Sequence, residues 1–118
     1  MGHVVVSVAF TNPYDLTKSA VEEGLVDTGA TRSVIPARLA EALGLQAIGR
    51  ARVKTASGEE ELPLSWAFVE IAGRKDVSSL LIRDKIDRVL IGVVTLEAMG
   101  LAVDPTSGEL KEAELLLY

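Results

Sequence analysis

Several residue types that often carry enzyme chemistry are scarce in this sequence. The 118 residues include no cysteine, and the single histidine is His3, near the N-terminus. Aromatic residues make up only 4% of the chain although 48% of its residues are hydrophobic, which predicts a largely aliphatic core. With neither thiol nor internal imidazole available, a hydrolytic site would have to depend on carboxylates. We expect no metal and no other cofactor.

Basic residues are fewer than acidic ones. Twelve Lys and Arg stand against seventeen Asp and Glu, so the net charge is −5. Proteins that bind nucleic acid or anionic membranes need a basic face that releases counterions, and we expect neither partner. The hydrophobic runs are too short to span a membrane, and no charged and then apolar leader opens the chain. These features favour a cytoplasmic protein with a single domain over residues 1–118.

Most of the chain has the residue pattern of β-strands. The β-branched run from His3 to Phe10 predicts one strand, and residues 18–26 predict a second that pairs back on it. Residues 36–43 predict a helix, with proline at its start and a glycine directly after its end. A second short helix is expected over residues 95–99. The protein is therefore expected to be mainly β with one or two short helices.

Residues 50–65 have the alternation of a β-hairpin. Three basic residues alternate with smaller ones before the turn-forming pair Ser57-Gly58. A turn there predicts three cross-strand pairs, namely Lys54 with Glu61, Val53 with Leu62 and Ala51 with Leu64. An ordinary surface hairpin and a projecting, mobile one both fit this pattern.

The most informative segment is Leu25-Val26-Asp27-Thr28-Gly29-Ala30. An apolar strand end runs directly into an acid, a hydroxyl, a glycine and a small residue. This arrangement supplies one carboxylate and a turn that exposes it. One Asp cannot be both general acid and general base in a single step, but a twofold dimer would supply a second. Alternatively, Asp27 could be a turn residue that caps its own backbone.

Two later segments extend this motif. Val34-Ile35-Pro36 follows it closely, and Val89-Leu90-Ile91-Gly92 precedes a short helical stretch that ends in Met99-Gly100-Leu101. Together these segments resemble the retropepsin-like (clan AA) aspartic proteases, the single-domain relatives of pepsin that work as homodimers. The likeness covers roughly residues 4–105 and is greatest to the small archaeal and bacterial cellular members. It implies a closed β-barrel with a flap hairpin.

The resemblance also implies roles for particular residues. Asp27 would be catalytic. The active-site support would come from Thr28, Gly29, Ala30 and Gly92. Residues 50–65 would form the flap, and its tip would bind substrate through Ala56, Ser57, Gly58 and Glu59. Residues 109–118 would form a strand that interleaves with the partner chain. The viral relatives carry an Arg directly after the glycine that corresponds to Gly92, and that Arg joins an ion-pair network behind the active site. This chain has Val93 there, so the network is absent or replaced.

These observations predict a homodimeric aspartic endopeptidase that acts on peptides or proteins. Two Asp27 carboxylates facing each other would share one proton and activate the water between them. A second interpretation keeps the fold but makes the protein a catalytically weak or inactive module for peptide binding or scaffolding. A third treats the Asp-Thr-Gly sequence as accidental in an unrelated small β-rich domain.

Overall fold

The computed structural model describes residues 4–113. This part of the chain is mainly β, with short helices at two places. In chain order the elements are β1 (Val4–Asn12), β2 (Asp15–Val26), β3 (Ser33–Pro36), α1 (Ala37–Leu43), β4 (Gly49–Thr55), β5 (Gly58–Ile71), β6 (Arg74–Arg83), β7 (Val89–Ile91), α2 (Val93–Ala98), β8 (Leu101–Val103) and β9 (Leu110–Glu112). None of the helices among these residues is long and apolar enough to cross a membrane.

Six of the strands form a closed ring. Their order is β1-β2-β7-β3-β6-β5, and β5 pairs with β1 to close it. The joint between β2 and β7 is parallel, and so is the one between β3 and β6. β4 pairs only with the first part of β5 and lies outside the ring, whereas β8 and β9 form a small separate sheet. The predicted retropepsin-like closed β-barrel is therefore confirmed.

The barrel interior is filled by aliphatic side chains, as the composition predicts. Inward positions alternate with outward ones along β1, where Val8 and Phe10 are fully buried and Val5 is half exposed. Ile35, Leu80 and six further fully or almost fully buried aliphatic side chains complete the centre of the core. Each such side chain contributes about 1.5–3 kcal/mol through burial, so the ring is held together by its own interior.

Both predicted helices are present with shifted starts. α1 begins at Ala37 because Pro36 is its N-cap, with φ −64° and an extended ψ of 150°. As predicted, Gly44 follows the end of α1. It has the left-handed conformation, with φ 66°, and its N–H donates to the Ala40 and Glu41 carbonyls. α2 begins at Val93, two residues before the predicted start. Two β-branched valines obscure that start in the sequence, because their helix propensity is low.

The predicted register of the β4–β5 hairpin is wrong by two residues. Thr55 pairs with Gly58, so the turn is formed by residues 56–57 rather than by Ser57 and Gly58. The observed pairs include Lys54 with Glu59, Arg52 with Glu61 and Ala51 with Leu62. The Thr55 hydroxyl donates to the Gly58 carbonyl at 2.9 Å and stabilises the observed turn. A shift of two leaves every side chain on the same face, so alternation alone cannot separate the two registers.

Candidate active site

Asp27 lies in a tight loop directly after β2. Its backbone N–H donates to the Ile91 carbonyl at 2.9 Å, which extends the parallel β2–β7 pairing into the loop. The Ala30 N–H donates to the Asp27 carbonyl at 3.0 Å, and the Gly29 N–H donates to Asp27 Oδ1 at 2.9 Å. The carboxylate is partly exposed. Backbone contacts on both sides thus fix where it points while leaving it accessible.

The loop between β7 and α2 lies directly behind the Asp27 loop. The Val93 N–H donates to the Ala30 carbonyl at 2.9 Å, and the Val94 N–H donates to the Thr31 carbonyl at 3.1 Å. Gly92 is buried between the two loops. A Cβ on Gly92 would lie 2.6 Å from the Arg32 carbonyl carbon, closer than real Cβ atoms approach backbone. Only glycine fits here, which gives a physical basis for the support role predicted for Gly92.

Three buried hydroxyls form a network beneath these loops. The Gly92 N–H donates to Ser33 Oγ at 3.0 Å, and Ser33 Oγ lies 2.6 Å from Thr95 Oγ1. Ser78 Oγ lies 2.9 Å from the same Thr95 oxygen. Because β3, β6 and α2 each contribute one hydroxyl, the network joins three elements. The loops that carry Asp27 and Gly92 are thus supported by an uncharged hydrogen-bond network. No buried side-chain polar atom in residues 4–113 lacks a hydrogen-bond partner.

Sequence reasoning missed this network. Its members are separated by up to 62 positions, and isolated Ser and Thr residues give no local signal of pairing. The available hint was Val93, which stands where the viral relatives carry an Arg. An apolar residue there predicts that groups other than an arginine support the Asp27 loop.

An open cleft of about 550 Å³ separates the Asp27 loop from the β4–β5 hairpin. One side is formed by the Asp27 loop and β3, and the other by β4 with Leu62 of β5. Its lining residues are Asp27, Gly29, Ala30, Thr31, Arg32, Val34, Ala51, Arg52, Val53, Lys54, Thr55, Leu62, Leu81 and Arg83. Asp27 is the one carboxylate in this set, so the described cleft places a single acid opposite a hairpin.

The predicted site residues divide into three groups. Asp27, Gly29 and Ala30 line the cleft. Thr28 is exposed in the same loop but outside the lining set, and Gly92 is buried behind it. Ala56, Ser57, Gly58 and Glu59 are exposed at the end of the hairpin and do not line the cleft. The catalytic and substrate-binding roles stay predictions. The cleft-facing part of the hairpin is residues 51–55 together with Leu62, and none of these was predicted as a site residue.

Two ion pairs flank the hairpin. Arg83 of β6 contacts Glu60 through two hydrogen bonds of 2.6 and 3.2 Å, a bidentate arrangement in which both side chains are largely buried. Arg50 contacts Glu61 at 2.6 Å, but there both side chains are more than half exposed. The first pair attaches the hairpin to the barrel, and the second lies on the surface of the hairpin alone.

No group of three or more His, Asp or Glu side chains in the described ranges is placed to hold a metal ion. β9 covers residues 110–112 of the predicted dimerisation strand and pairs with β8. Residues 114–118 of that predicted strand lie outside the described residues.

A closed barrel with an accessible aspartate in an Asp-Thr-Gly loop defines a protein of the aspartic protease class. Residues 21–98 match the family described as "gag-polyprotein putative aspartyl protease". The match includes Asp27, Gly92 and the whole cleft. The chain therefore belongs to this family of retropepsin-like aspartyl protease domains, a family of hydrolases. A search of curated proteins found no match.

Proposed function

We propose that the protein is a homodimeric aspartic endopeptidase whose active site contains one Asp27 from each chain. The observation that carries this proposal is the isolated carboxylate of Asp27 in an open cleft of an aspartyl protease domain. Hydrolysis of a peptide bond needs a general base and a general acid at the same time. Each chain brings one carboxylate to this cleft, and a twofold axis beside the loop would bring the second.

The chemistry follows from two adjacent carboxylates that share a proton. The charged Asp27 removes a proton from a water held between them, and the hydroxide attacks the scissile carbonyl carbon. The protonated Asp27 of the other chain donates its proton to the carbonyl oxygen. Collapse of the resulting gem-diol breaks the C–N bond and returns a proton to the leaving amine. The exposed Thr28 would reach toward the partner chain, as the family resemblance implies.

The β4–β5 hairpin acts as the flap in this proposal. It faces Asp27 across the cleft, and its exposed tip at residues 56–59 extends beyond the cleft lining. An extended peptide between them would pair its backbone with the hairpin as an added strand. Residues 51–55, rather than the tip alone, would contact its side chains.

A mixing experiment tests whether the two carboxylates come from different chains. Wild-type and Asp27→Asn proteins are equilibrated at several ratios, and cleavage of an unfolded protein substrate is measured between about pH 3 and pH 7. If both Asp27 residues are required, activity follows the square of the wild-type fraction, because only about one quarter of the dimers in an equal mixture carry two Asp27. A linear dependence would mean that each chain acts alone.

Light scattering on the same samples gives the assembly state. We expect a mass near twice 12.5 kDa. A strictly monomeric protein that hydrolyses peptides contradicts the proposal. A dimer that binds peptides without cleaving them at any pH instead supports the peptide-binding module.

A further inference from the structure

The charge of the cleft differs from the charge of the whole chain. The chain carries a net charge of −5, yet four of the lining residues are basic and only Asp27 is acidic. The basic residues are Arg32, Arg52, Lys54 and Arg83. A concave site with one sign of charge concentrates the potential that a ligand meets there. The cleft thus has the opposite electrostatic preference to most of the surface.

One of these cations is paired with a carboxylate, and two others have an acid opposite them in the hairpin. Arg83 is neutralised by its two hydrogen bonds to Glu60. Arg52 and Lys54 lie on β4 directly opposite Glu61 and Glu59 of β5. Neither forms an ion pair within residues 4–113, and Glu61 contacts Arg50 instead, so these two charges are offset only in part by the acids opposite them.

Arg32 is different. It follows the Asp27 loop, is exposed, and its guanidinium donates to the neutral hydroxyl of Ser79. Within residues 4–113 no ion pair joins Arg32 to a carboxylate. A guanidinium has five N–H donors arranged in a fork that fits a carboxylate, so the remaining donors can bind one. The Ser79 hydroxyl positions the Arg32 side chain but, being neutral, does not offset the charge of the guanidinium.

We propose that Arg32 is a specificity-determining residue that makes the cleft prefer peptides with Asp or Glu side chains close to the scissile bond. The proposal deepens the function proposed above and rests on it. In a twofold dimer one Arg32 would lie on each side of the Asp27 pair. The preference would therefore apply at equivalent positions on both sides of the cleaved bond, and it would weaken as salt screens the charges.

Binding and cleavage are measured separately so that the two proposals can fail separately. Two peptides are compared, identical except that Glu residues flanking the scissile bond in one are Gln in the other. Affinities are measured by fluorescence anisotropy on the Asp27→Asn protein, and kcat/KM is measured on the protein with Asp27 intact. The readout is the value for the Glu peptide divided by the value for the Gln peptide, for affinity and for kcat/KM. This ratio does not change if a substitution weakens binding or activity equally for both peptides.

Arg32→Gln is expected to lower this ratio by about fivefold, the size of one favourable exposed ion pair. Arg32→Glu should reverse the preference. Arg88→Gln is the matched control, since Arg88 is exposed and outside the cleft and the net charge changes equally. An unchanged ratio in Arg32→Gln, in both binding and cleavage, overturns the inference. Charge-selective binding without cleavage would keep the inference about the cleft while removing the proposed hydrolysis.

Discussion

The two sides of the cleft are held in different ways. Beneath Asp27, the hydroxyls of Ser33, Thr95 and Ser78 are buried and hydrogen-bonded to one another, and Gly92 touches backbone directly. The opposite side is an edge hairpin that ends in a two-residue turn and carries an exposed ion pair between Arg50 and Glu61. Buried polar groups that are fully hydrogen-bonded hold one geometry, whereas exposed ion pairs cost little free energy to break. The molecule is therefore rigid where the carboxylate is positioned and loosely held where a substrate would enter.

The sharpest test of this contrast compares one substitution at two glycines. Gly92→Ala places a Cβ against the Arg32 backbone and should lower the free energy of unfolding by about 3 kcal/mol. Gly49→Ala, in β4, meets no atom within 4 Å and should be neutral or stabilise by about 0.5 kcal/mol. Urea denaturation of both variants measures the difference. Similar losses would show that the two sides are equally constrained.

A second pair compares the same hydroxyl deletion on each side. Thr95→Val removes the oxygen that joins Ser33 to Ser78 and should cost about 1–3 kcal/mol, because buried hydroxyls lose a partner. Thr55→Val removes three hydrogen bonds, but all of them lie at the exposed turn, and it should cost less than about 0.5 kcal/mol. Thermal unfolding checks both values, and Thr95→Ser should restore most of the loss. Failure of that rescue would point to packing rather than to hydrogen bonding.

Of the two ion pairs of the hairpin, the more buried one should contribute more to stability than the exposed one. Glu60→Gln breaks the largely buried contact with Arg83 and should destabilise by about 1 kcal/mol. Glu61→Gln, at the exposed contact with Arg50, should cost less than about 0.5 kcal/mol. Hydrogen exchange of residues 49–62 provides the local readout. Faster exchange in Glu60→Gln alone would identify Arg83 as the attachment point of the hairpin, and equal exchange in both variants would contradict that assignment.

The smallest expected effect is at Asp104, a partly exposed residue that precedes the turn between β8 and β9 and does not line the cleft. The Thr106 N–H donates to Asp104 Oδ1 at 2.8 Å and lowers the pKa of this carboxyl below its ordinary value. The stabilisation is therefore present above the ordinary pKa and is lost as the pH falls through the lowered one. Asp104→Asn should slightly flatten the acid limb of a Tm-against-pH curve. A large change there would contradict the view that exposed contacts contribute little.

Local rules predicted much of the fold. The Gly44 helix end, the pairing of the first two strands and the position of Asp27 after an apolar strand all depend on residues that are neighbours in sequence. The hairpin register was wrong because alternation fixes which face a side chain takes but not which of two turns is used. In the observed register Gly58 is a strand residue with φ 126°, and the Thr55 hydroxyl bonds to its carbonyl.

The candidate site was predictable only in part. Asp27 and Gly92 lie in recognisable motifs, but the hydroxyl network and the placement of Arg32 depend on neighbours from other strands and from α2. Ser33 reaches Thr95 across 62 positions and Arg32 reaches Ser79 across 47. No spacing rule connects such residues, because the barrel brings them together only after the strands have paired.

The closure of the strand ring also determines when the Asp27 loop is completed during synthesis. β1 closes on β5 through pairs such as Val8 with Ile71, and β7 inserts between β2 and β3 only when residues 89–91 are available. The Asp27 loop then receives its backbone partners from Ile91 and Val93. A nascent chain that has not yet released these residues from the ribosome has Asp27 but no support beneath it. The carboxylate thus acquires its supported position only after Ile91 and Val93 have been made and have left the ribosome.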